Sequence, residues 1–298
     1  RAIGLNYKDR DVLVVTPESE PALNSFREYW KSALSVPARD LEDICELIEN
    51  EDFPSLLTKE HFRLNHLFGE LSKRASEANY VTDFFIKPMA FVEETKWVFD
   101  SPEKTIQSPD SQSRVAQELS ELVANAKREI FIQSPYVVLS EKAIALFREI
   151  KAKNPDLRIV VSTNSLAATD SWTTYAANYK EKRLYLEELG FEMWEFKPMP
   201  TDIHKMMAYD DLLSRRPTID EIVNYRRIPF KIDKSLAAFP FRLDASEKTI
   251  HRIDRRNDHL LTPPFLSMHA KSMVVDEEVS YVGSFNFDPR SVDYNTEV

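Results

Sequence analysis

Residues 129–163 read EIFIQSPYVVLSEKAIALFREIKAKNPDLRIVVST, and this stretch decides the fold class. Segments 129–133 and 158–163 are short runs rich in Ile, Val and Phe, which is typical of buried strands. Between them, 140–153 has the apolar spacing of a helix, with Ser140 in the position of an N-cap. A strand, a helix and a second strand in succession predict an α/β layer structure.

The same alternation continues on both sides of this stretch. Helices are predicted at 113–126 and at 172–189, and Gly190 stands where a C-cap glycine belongs. A strand is predicted at 191–196. Two later strands are predicted to flank the turn 276–278, at 268–275 and 279–287.

Three other parts of the chain lie outside this alternation. DVLVVT, at 11–16, is predicted to be a buried strand at the tail of a first domain. The predicted organisation is a tail of the first domain at 1–36, a mainly helical connector at 37–104, and a catalytic domain at 105–298 with an insertion at 199–266. The insertion holds 12 Lys and Arg against 10 Asp and Glu, so it is more basic than the rest of the chain.

Composition excludes several classes of protein. The four glycines are each more than sixty residues apart, so no motif that needs two close glycines exists, which removes the Rossmann fingerprint, the P-loop and the nucleophile elbow. A single cysteine, Cys45, excludes an internal disulfide and a CxxC zinc site. The net charge of −10 disfavours a nucleic-acid partner. No apolar run is long enough to span a bilayer, so any membrane contact is expected to be peripheral.

The chemistry is predicted to lie in 269–298, HAKSMVVDEEVSYVGSFNFDPRSVDYNTEV. His269 and Lys271 are two residues apart, so in a strand both point to one face. Ser284 and Asn286 repeat that spacing on the next predicted strand. If the strands pair, an imidazole, an ammonium, a hydroxyl and a carboxamide converge, and no acidic residue alternates into that face.

Phosphate is the ligand that suits this group of side chains best. Lys271 supplies a positive charge, Ser284 and Asn286 supply neutral donors, and a neutral imidazole at His269 can attack phosphorus. A carboxylate on the other ring nitrogen would fix the tautomer, and Glu297 is the candidate. Asp276 fits the turn better. No metal or cofactor is expected.

Two further residues follow the ends of predicted strands. Tyr136 and Asn164 are candidates to line the substrate pocket, because α/β proteins place ligands at that edge of the sheet. Structural roles in the turns are an equal alternative for both residues.

The spacing H-x-K-x4-D-x6-G-S-x-N resembles the signature of the phospholipase D superfamily, with Gly283 completing the pattern. Glu297 sits where members of that superfamily place the acidic partner of the histidine. Longer similarity, at 163–198, 267–297 and 8–30, is to bacterial cardiolipin synthases of the C type. The resemblance implies an α/β fold with a mixed sheet sandwiched by helices.

The same resemblance implies phosphatidyl transfer through a phosphohistidine at a site that needs two H-x-K motifs. This sequence holds one such motif, and Ala2 stands where relatives have Asn at the end of the first copy. The second histidine is therefore expected either upstream of residue 1 or from a partner chain. The substrate is expected to be a phospholipid, and the protein is expected to be peripheral to a bacterial cell membrane.

Two other functions stay open at this point. A hydrolytic phosphodiesterase, either a phospholipase or a nuclease, would use the same fold with water as acceptor. A non-catalytic lipid-binding scaffold would keep the fold with one degenerate motif.

Overall fold

The computed structural model describes residues 5–17, 19–49, 72–105, 113–198 and 265–298. The chain divides into two compact units. The larger unit combines Arg1–Pro17 with Glu103–Val298, and the smaller unit is Glu18–Pro102. The domain boundaries at 36 and 104, and the assignment of 1–36 to a first domain, stay predictions. Of the insertion 199–266, residues 199–264 lie outside the described part of the chain.

A mixed sheet of five strands organises the larger unit, in the order β4-β3-β2-β6-β7. Its strands are β2 (Glu129–Gln133), β3 (Arg158–Asn164), β4 (Glu192–Phe196), β6 (Ser272–Val275) and β7 (Val279–Val282). The neighbours β2, β3 and β4 pair in parallel, whereas β6 runs antiparallel to both β2 and β7. The predicted α/β class with a mixed sheet is confirmed.

One helix precedes the parallel strands and two helices connect them, as the sequence predicts. They are α4 (Arg114–Ala124), α5 (Glu141–Lys153) and α6 (Trp172–Arg183), the last continued by a π-helical turn at Leu184–Glu188. Ser140 caps α5 by accepting from the Ala143 N–H at 3.2 Å. Gly190 has a φ of 65°, which a left-handed C-cap requires.

The core of the larger unit lies where these helices pack on the strands. Ile130 and Val161 are fully buried in β2 and β3. Phe191, just before β4, packs edge-on against Phe147 of α5 with ring centroids 5.0 Å apart. The carboxyl end of β3 faces the candidate site, since Asn164 at that end donates to the carbonyl of Met268.

The last strands are shorter than predicted, and the motif residues lie outside them. β5 (Phe265–Met268) ends before His269, and β6 begins only at Ser272. β7 ends at Val282, so Ser284 and Asn286 follow the strand instead of lying in it. The motif side chains therefore project from the segments that precede β6 and follow β7.

β5 pairs with β1 (Leu5–Lys8) in parallel, as a separate two-stranded sheet. The strand predicted at 11–16 is wrong. Those residues have no regular structure, and Leu13 and Val15 are 73% and 71% exposed. The run of apolar residues looks like a buried strand in the sequence, but in this structure it has no ladder partner among the described residues.

The smaller unit is mainly helical where it is described. It contains α1 (Glu20–Lys31), α2 (Glu42–Glu49) and α3 (Ala78–Val81), with a π-helical turn at Thr82–Ile86 and a 3-10 turn at Ala38–Asp40. Within this unit the Tyr29 hydroxyl donates to the carbonyl of Asp100, and the Trp97 ring N–H donates to Ser25. In the described ranges of both units, none of the helices has the length and hydropathy needed to cross a membrane.

Candidate active site

His269 is positioned by the end of β5, directly after a clamp made by Asn164. The Asn164 amide donates to the Met268 carbonyl at 2.8 Å and accepts from the Met268 N–H at 3.0 Å. Asn164 is 2% exposed, so its polar atoms serve the backbone before the histidine and do not face solvent. The substrate contact predicted for Asn164 is thereby corrected to a positioning role.

The carboxylate on the histidine ring is that of Asp9, one residue after β1. His269 Nδ1 lies 2.9 Å from Asp9 Oδ1 and 3.3 Å from Oδ2. The parallel pairing of β1 with β5 sets this contact, because Lys8 and Met268 are partners in that ladder. Two residues 260 positions apart thus meet immediately beyond the last paired residues.

Lys271 lies against the same ring. Its Nζ is 3.0 Å from His269 Nδ1 and 3.1 Å from Nε2, and it donates to the His269 carbonyl at 2.6 Å. Lys271 is 8% exposed, and burial lowers the pKa of its ammonium below the ordinary lysine value. Three carboxylates oppose that shift of the pKa, those of Asp9, Glu297 and Asp170.

Ser284 and Glu297 form the second side of the site. The Ser284 hydroxyl donates to Glu297 Oε2 at 2.5 Å and accepts from the Val298 N–H at 3.0 Å. The Ser284 N–H donates in turn to the Val298 carbonyl at 2.8 Å. Residues 295–298, here called the C-terminal arm, are therefore fastened to the segment that follows β7.

Gly283 makes this close approach of the C-terminal arm possible. A Cβ atom at position 283 would lie 2.1 Å from the Val298 carbonyl oxygen and 2.3 Å from the Tyr281 hydroxyl. The Gly283 N–H donates to the Lys271 carbonyl at 3.1 Å, which ties the arm's anchor to the H-x-K segment. Position 283 of the motif is therefore glycine because no side chain fits there.

Asn286 lies beside Ser284 in this segment, before the short helix α7 (Pro289–Asp293). Its backbone N–H donates to Ser291 Oγ at 3.1 Å. Its side-chain oxygen is buried and has no hydrogen-bond partner among the described residues. That oxygen accepts only from a donor, so a contact of Asn286 with a phosphate oxygen would have to come from its amide NH2 group.

Tyr136 closes the side of the site at the end of β2. Its hydroxyl donates to Asp170 Oδ1, and the Arg290 guanidinium lies 5.4 Å from its ring centroid. Asp170 in turn interacts electrostatically with Lys271. The predicted site residue Tyr136 is therefore joined to the motif through Asp170.

Comparison with known proteins agrees with this geometry. A family model described as "Cardiolipin synthase, PLD-like domain" matches residues 231–298. Cardiolipin synthase C of Escherichia coli (strain K12) is 23% identical over 294 residues, which cover 98% of this chain and 50% of that protein.

These two similarities support membership of the phospholipase D superfamily.

Uncharacterized proteins of Helicobacter pylori are also similar to this chain. Those of strains ATCC 700392 / 26695 and J99 / ATCC 700824 are each 24% identical, over 98% of this chain and 46% of their own length. The chain thus spans about half the length of the curated relatives it matches.

Asp276, the aspartate of the phospholipase D signature, lies apart from the other motif residues. It follows β6 at the end opposite His269, and its carboxylate accepts from the N–H groups of Lys127, Arg128 and Glu129 at 2.7 to 2.9 Å. Burial raises the pKa of the Asp276 carboxyl, but these hydrogen bonds and the Arg128 charge lower it overall. These contacts fit the turn-organising role of Asp276, and the catalytic role that the motif suggests for it stays a prediction.

The charge of the site also differs from the prediction of a purely anion-attracting patch. The strands themselves bring no carboxylate, but Asp9, Asp170 and Glu297 approach from three other segments. Glu297 contacts Ser284, and the carboxylate that lies 2.9 Å from the histidine ring is Asp9. Asp9 and Asp170 are the functional residues that sequence reasoning missed.

A signal for Asp9 was present only in part. It lies in KDRDVLVVT, a segment singled out for its resemblance to relatives, but no spacing rule connects residue 9 with residue 269. Within the part of the chain that the structure describes, no three His, Cys, Asp or Glu side chains are arranged to hold a metal ion. The expectation of chemistry without a metal stays a prediction.

Proposed function

We propose that this chain supplies one catalytic half of a phosphatidyltransferase similar to cardiolipin synthase, in which His269 takes part in a phosphohistidine mechanism. The observation that carries the proposal is the contact set of one imidazole, with a carboxylate 2.9 Å from Nδ1 and an ammonium about 3 Å from both ring nitrogens. A carboxylate orients an imidazole and fixes its tautomer, and an ammonium binds phosphate oxygens.

The Asp9 contact selects the reacting atom. Because Asp9 lies on Nδ1, the proton of a neutral ring belongs on that nitrogen, and Nε2 keeps its lone pair. The same Nε2 serves if His269 attacks phosphorus, or if it transfers protons to and from the alcohols while a second histidine attacks. In either role, Asp9 stabilises the positive charge that develops on the ring.

The transfer proceeds in two displacements. The nucleophilic histidine forms an N–P bond as the P–O bond to the first alcohol breaks, and the general acid gives that alcohol its proton. An acceptor alcohol then attacks phosphorus, loses its proton to the same group, and releases the histidine. Lys271, Ser284 and Asn286 are assigned to the phosphate oxygens, whose negative charge increases in both transition states.

The substrate class rests on the relatives. One of them is called cardiolipin synthase C, which supports a phospholipid donor, an alcohol acceptor and a peripheral position on a bacterial membrane. The second histidine is proposed to come from an upstream H-x-K motif or from a partner chain. Tyr136 is assigned to the head-group side of the site, because it is linked to Lys271 through Asp170.

Trapping and product analysis on the full-length protein test the proposal. Radiolabelled phosphatidylglycerol is mixed with wild type, His269→Ala and the exposed control Lys180→Ala, with and without added 1-butanol. We expect wild type and the control to form a new phosphatidyl alcohol through an acid-labile, base-stable protein phosphate. His269→Ala should lose product by at least about 10³-fold, the scale seen when a member of a catalytic group is removed.

Three results would contradict the proposal. Unchanged transfer in His269→Ala would remove the histidine from the mechanism. Phosphatidic acid as the sole product, even with 1-butanol present, would instead indicate the hydrolytic phosphodiesterase. Lipid binding with no turnover and no labelled protein would indicate the scaffold.

A further inference from the structure

Lys104 belongs to the larger unit, in the 3-10 helix Pro102–Thr105, and is far from the motif in sequence. It is 5% exposed. Lysine is one of the residues least often fully buried, because its ammonium loses water on burial and then needs hydrogen-bond partners within the protein. A buried lysine that the proposed chemistry does not use therefore calls for a role.

The contacts of Lys104 lead to the candidate site. Its Nζ donates to the carbonyl of Ser291 at 2.7 Å and to the carbonyl of Asn295 at 2.6 Å. The first carbonyl belongs to α7, and the second belongs to the first residue of the C-terminal arm. The end of a helix leaves carbonyls without intrahelical partners, and a cation there satisfies them and complements the helix dipole.

The C-terminal arm is consequently held at both ends. Lys104 fixes the arm where it leaves α7, and Ser284 fixes it at Glu297 and Val298. Only Thr296 lies between Asn295 and Glu297, so a displacement of Asn295 is passed on to Glu297. The Glu297 carboxylate also acts on the charge of Lys271.

We propose that Lys104 is a positioning residue for the candidate active site: by binding the Ser291 and Asn295 carbonyls it holds Glu297 on Ser284. The proposal rests on the proposed function only for its effect on turnover. The claim that Lys104 places the C-terminal arm does not depend on which reaction the site performs.

A double-mutant cycle on the full-length protein tests this action through Glu297. Lys104→Met removes the ammonium with little change in side-chain length, Glu297→Gln removes the carboxylate, and the third variant combines them. We expect Lys104→Met to lower kcat on the order of tenfold with KM changed less than about twofold, because positioning is lost and binding is kept. The double variant should lose no more than the worse single variant.

A second readout follows the C-terminal arm directly. The Val298 N–H donates to Ser284 Oγ, so its hydrogen exchange reports whether the arm is docked. Exchange should be faster in Lys104→Met than in wild type. The matched control is Ser113→Ala, which removes the buried N-cap bond to Ala116 in α4 and lowers stability without touching the arm. It should leave both kcat and Val298 exchange unchanged.

The outcomes separate this inference from the proposed function. Multiplicative losses in the double variant, or unchanged Val298 exchange in Lys104→Met, would overturn the role of Lys104 even if His269→Ala is inactive. Activity retained in His269→Ala would overturn the proposed function, while Val298 exchange would still decide where Lys104 acts. If Lys104→Met fails to fold, Lys104→Gln keeps one donor group and carries the same cycle and exchange measurement.

Discussion

The two sides of the candidate site are assembled in opposite ways. The histidine segment, residues 269–271, depends on the distant residues Asp9 and Asn164, which reach it through β1 and β3. Apart from Lys104, the C-terminal arm depends on residues in the same 30-residue stretch, since Ser284 binds Glu297 and Val298, and Gly283 leaves room for the Val298 carbonyl. Motif spacing therefore describes the second side well, and the first side incompletely.

The largest expected effect is on the locally built side. Gly283→Ala places a methyl group 2.1 Å from the Val298 carbonyl oxygen, so the C-terminal arm has to move away. We expect kcat/KM for phosphatidyl transfer to fall on the order of 10²-fold, because displacements near 1 Å are that costly in an active site. Steady-state kinetics would measure this loss, with Gly190→Ala as the control variant.

Gly190→Ala strains a C-cap far from the motif, so it should cost stability and leave turnover per folded molecule unchanged. Equal turnover in Gly283→Ala and wild type would show that the arm does not contribute to the site.

On the distant side, Asp9→Asn is expected to lower kcat by about 10- to 100-fold, the usual scale for losing the partner that orients a histidine. The amide keeps the size of the side chain but no longer stabilises a positive imidazole. Single-turnover formation of the phosphoenzyme would report the change, with Asp11→Asn as the matched control in the same segment. If both variants transfer lipid at the wild-type rate, the Asp9 contact has no catalytic part.

A smaller effect sharpens the electrostatic contrast between the two sides. Burial lowers the pKa of Lys271, so activity that needs its ammonium should disappear, as pH rises, earlier than for an ordinary lysine. Asp170 supports the charged form, and Asp170→Asn should move this alkaline limb to still lower pH. The pH profile of kcat/KM would show the displacement. A limb that stays in place would mean that Lys271 does not control it.

The smallest expected effect on turnover concerns Asp276, which belongs to neither side. Its pKa is lowered in the folded state, so it contributes stability above the unfolded carboxyl pKa and loses that contribution as pH falls through the folded value. Asp276→Asn should cost about 1–3 kcal/mol of unfolding free energy near neutral pH and flatten the acid dependence. Urea unfolding from pH 3 to 7 would measure both. A loss of turnover with unchanged stability would support a catalytic role.

Local patterns predicted the central elements well. The strand at 129–133 has the predicted bounds, and Ser140 caps its helix as expected. These features depend on side-chain period and capping chemistry, which act over a few residues and are written in the local sequence. The strand predicted at 11–16 failed, because an apolar run forms a strand only when a partner supplies the ladder.

By itself, the sequence determined the α/β class, the residues of the H-x-K and G-S-x-N motif, and the reactive group types that they bring. Only the tertiary structure decided which carboxylate meets the histidine, that Asp276 and Asn164 serve the backbone, and that Lys104 anchors the C-terminal arm. The physical reason is that spacing along the chain sets local geometry. Contacts between residues far apart depend on how strands pair and where buried polar groups find partners.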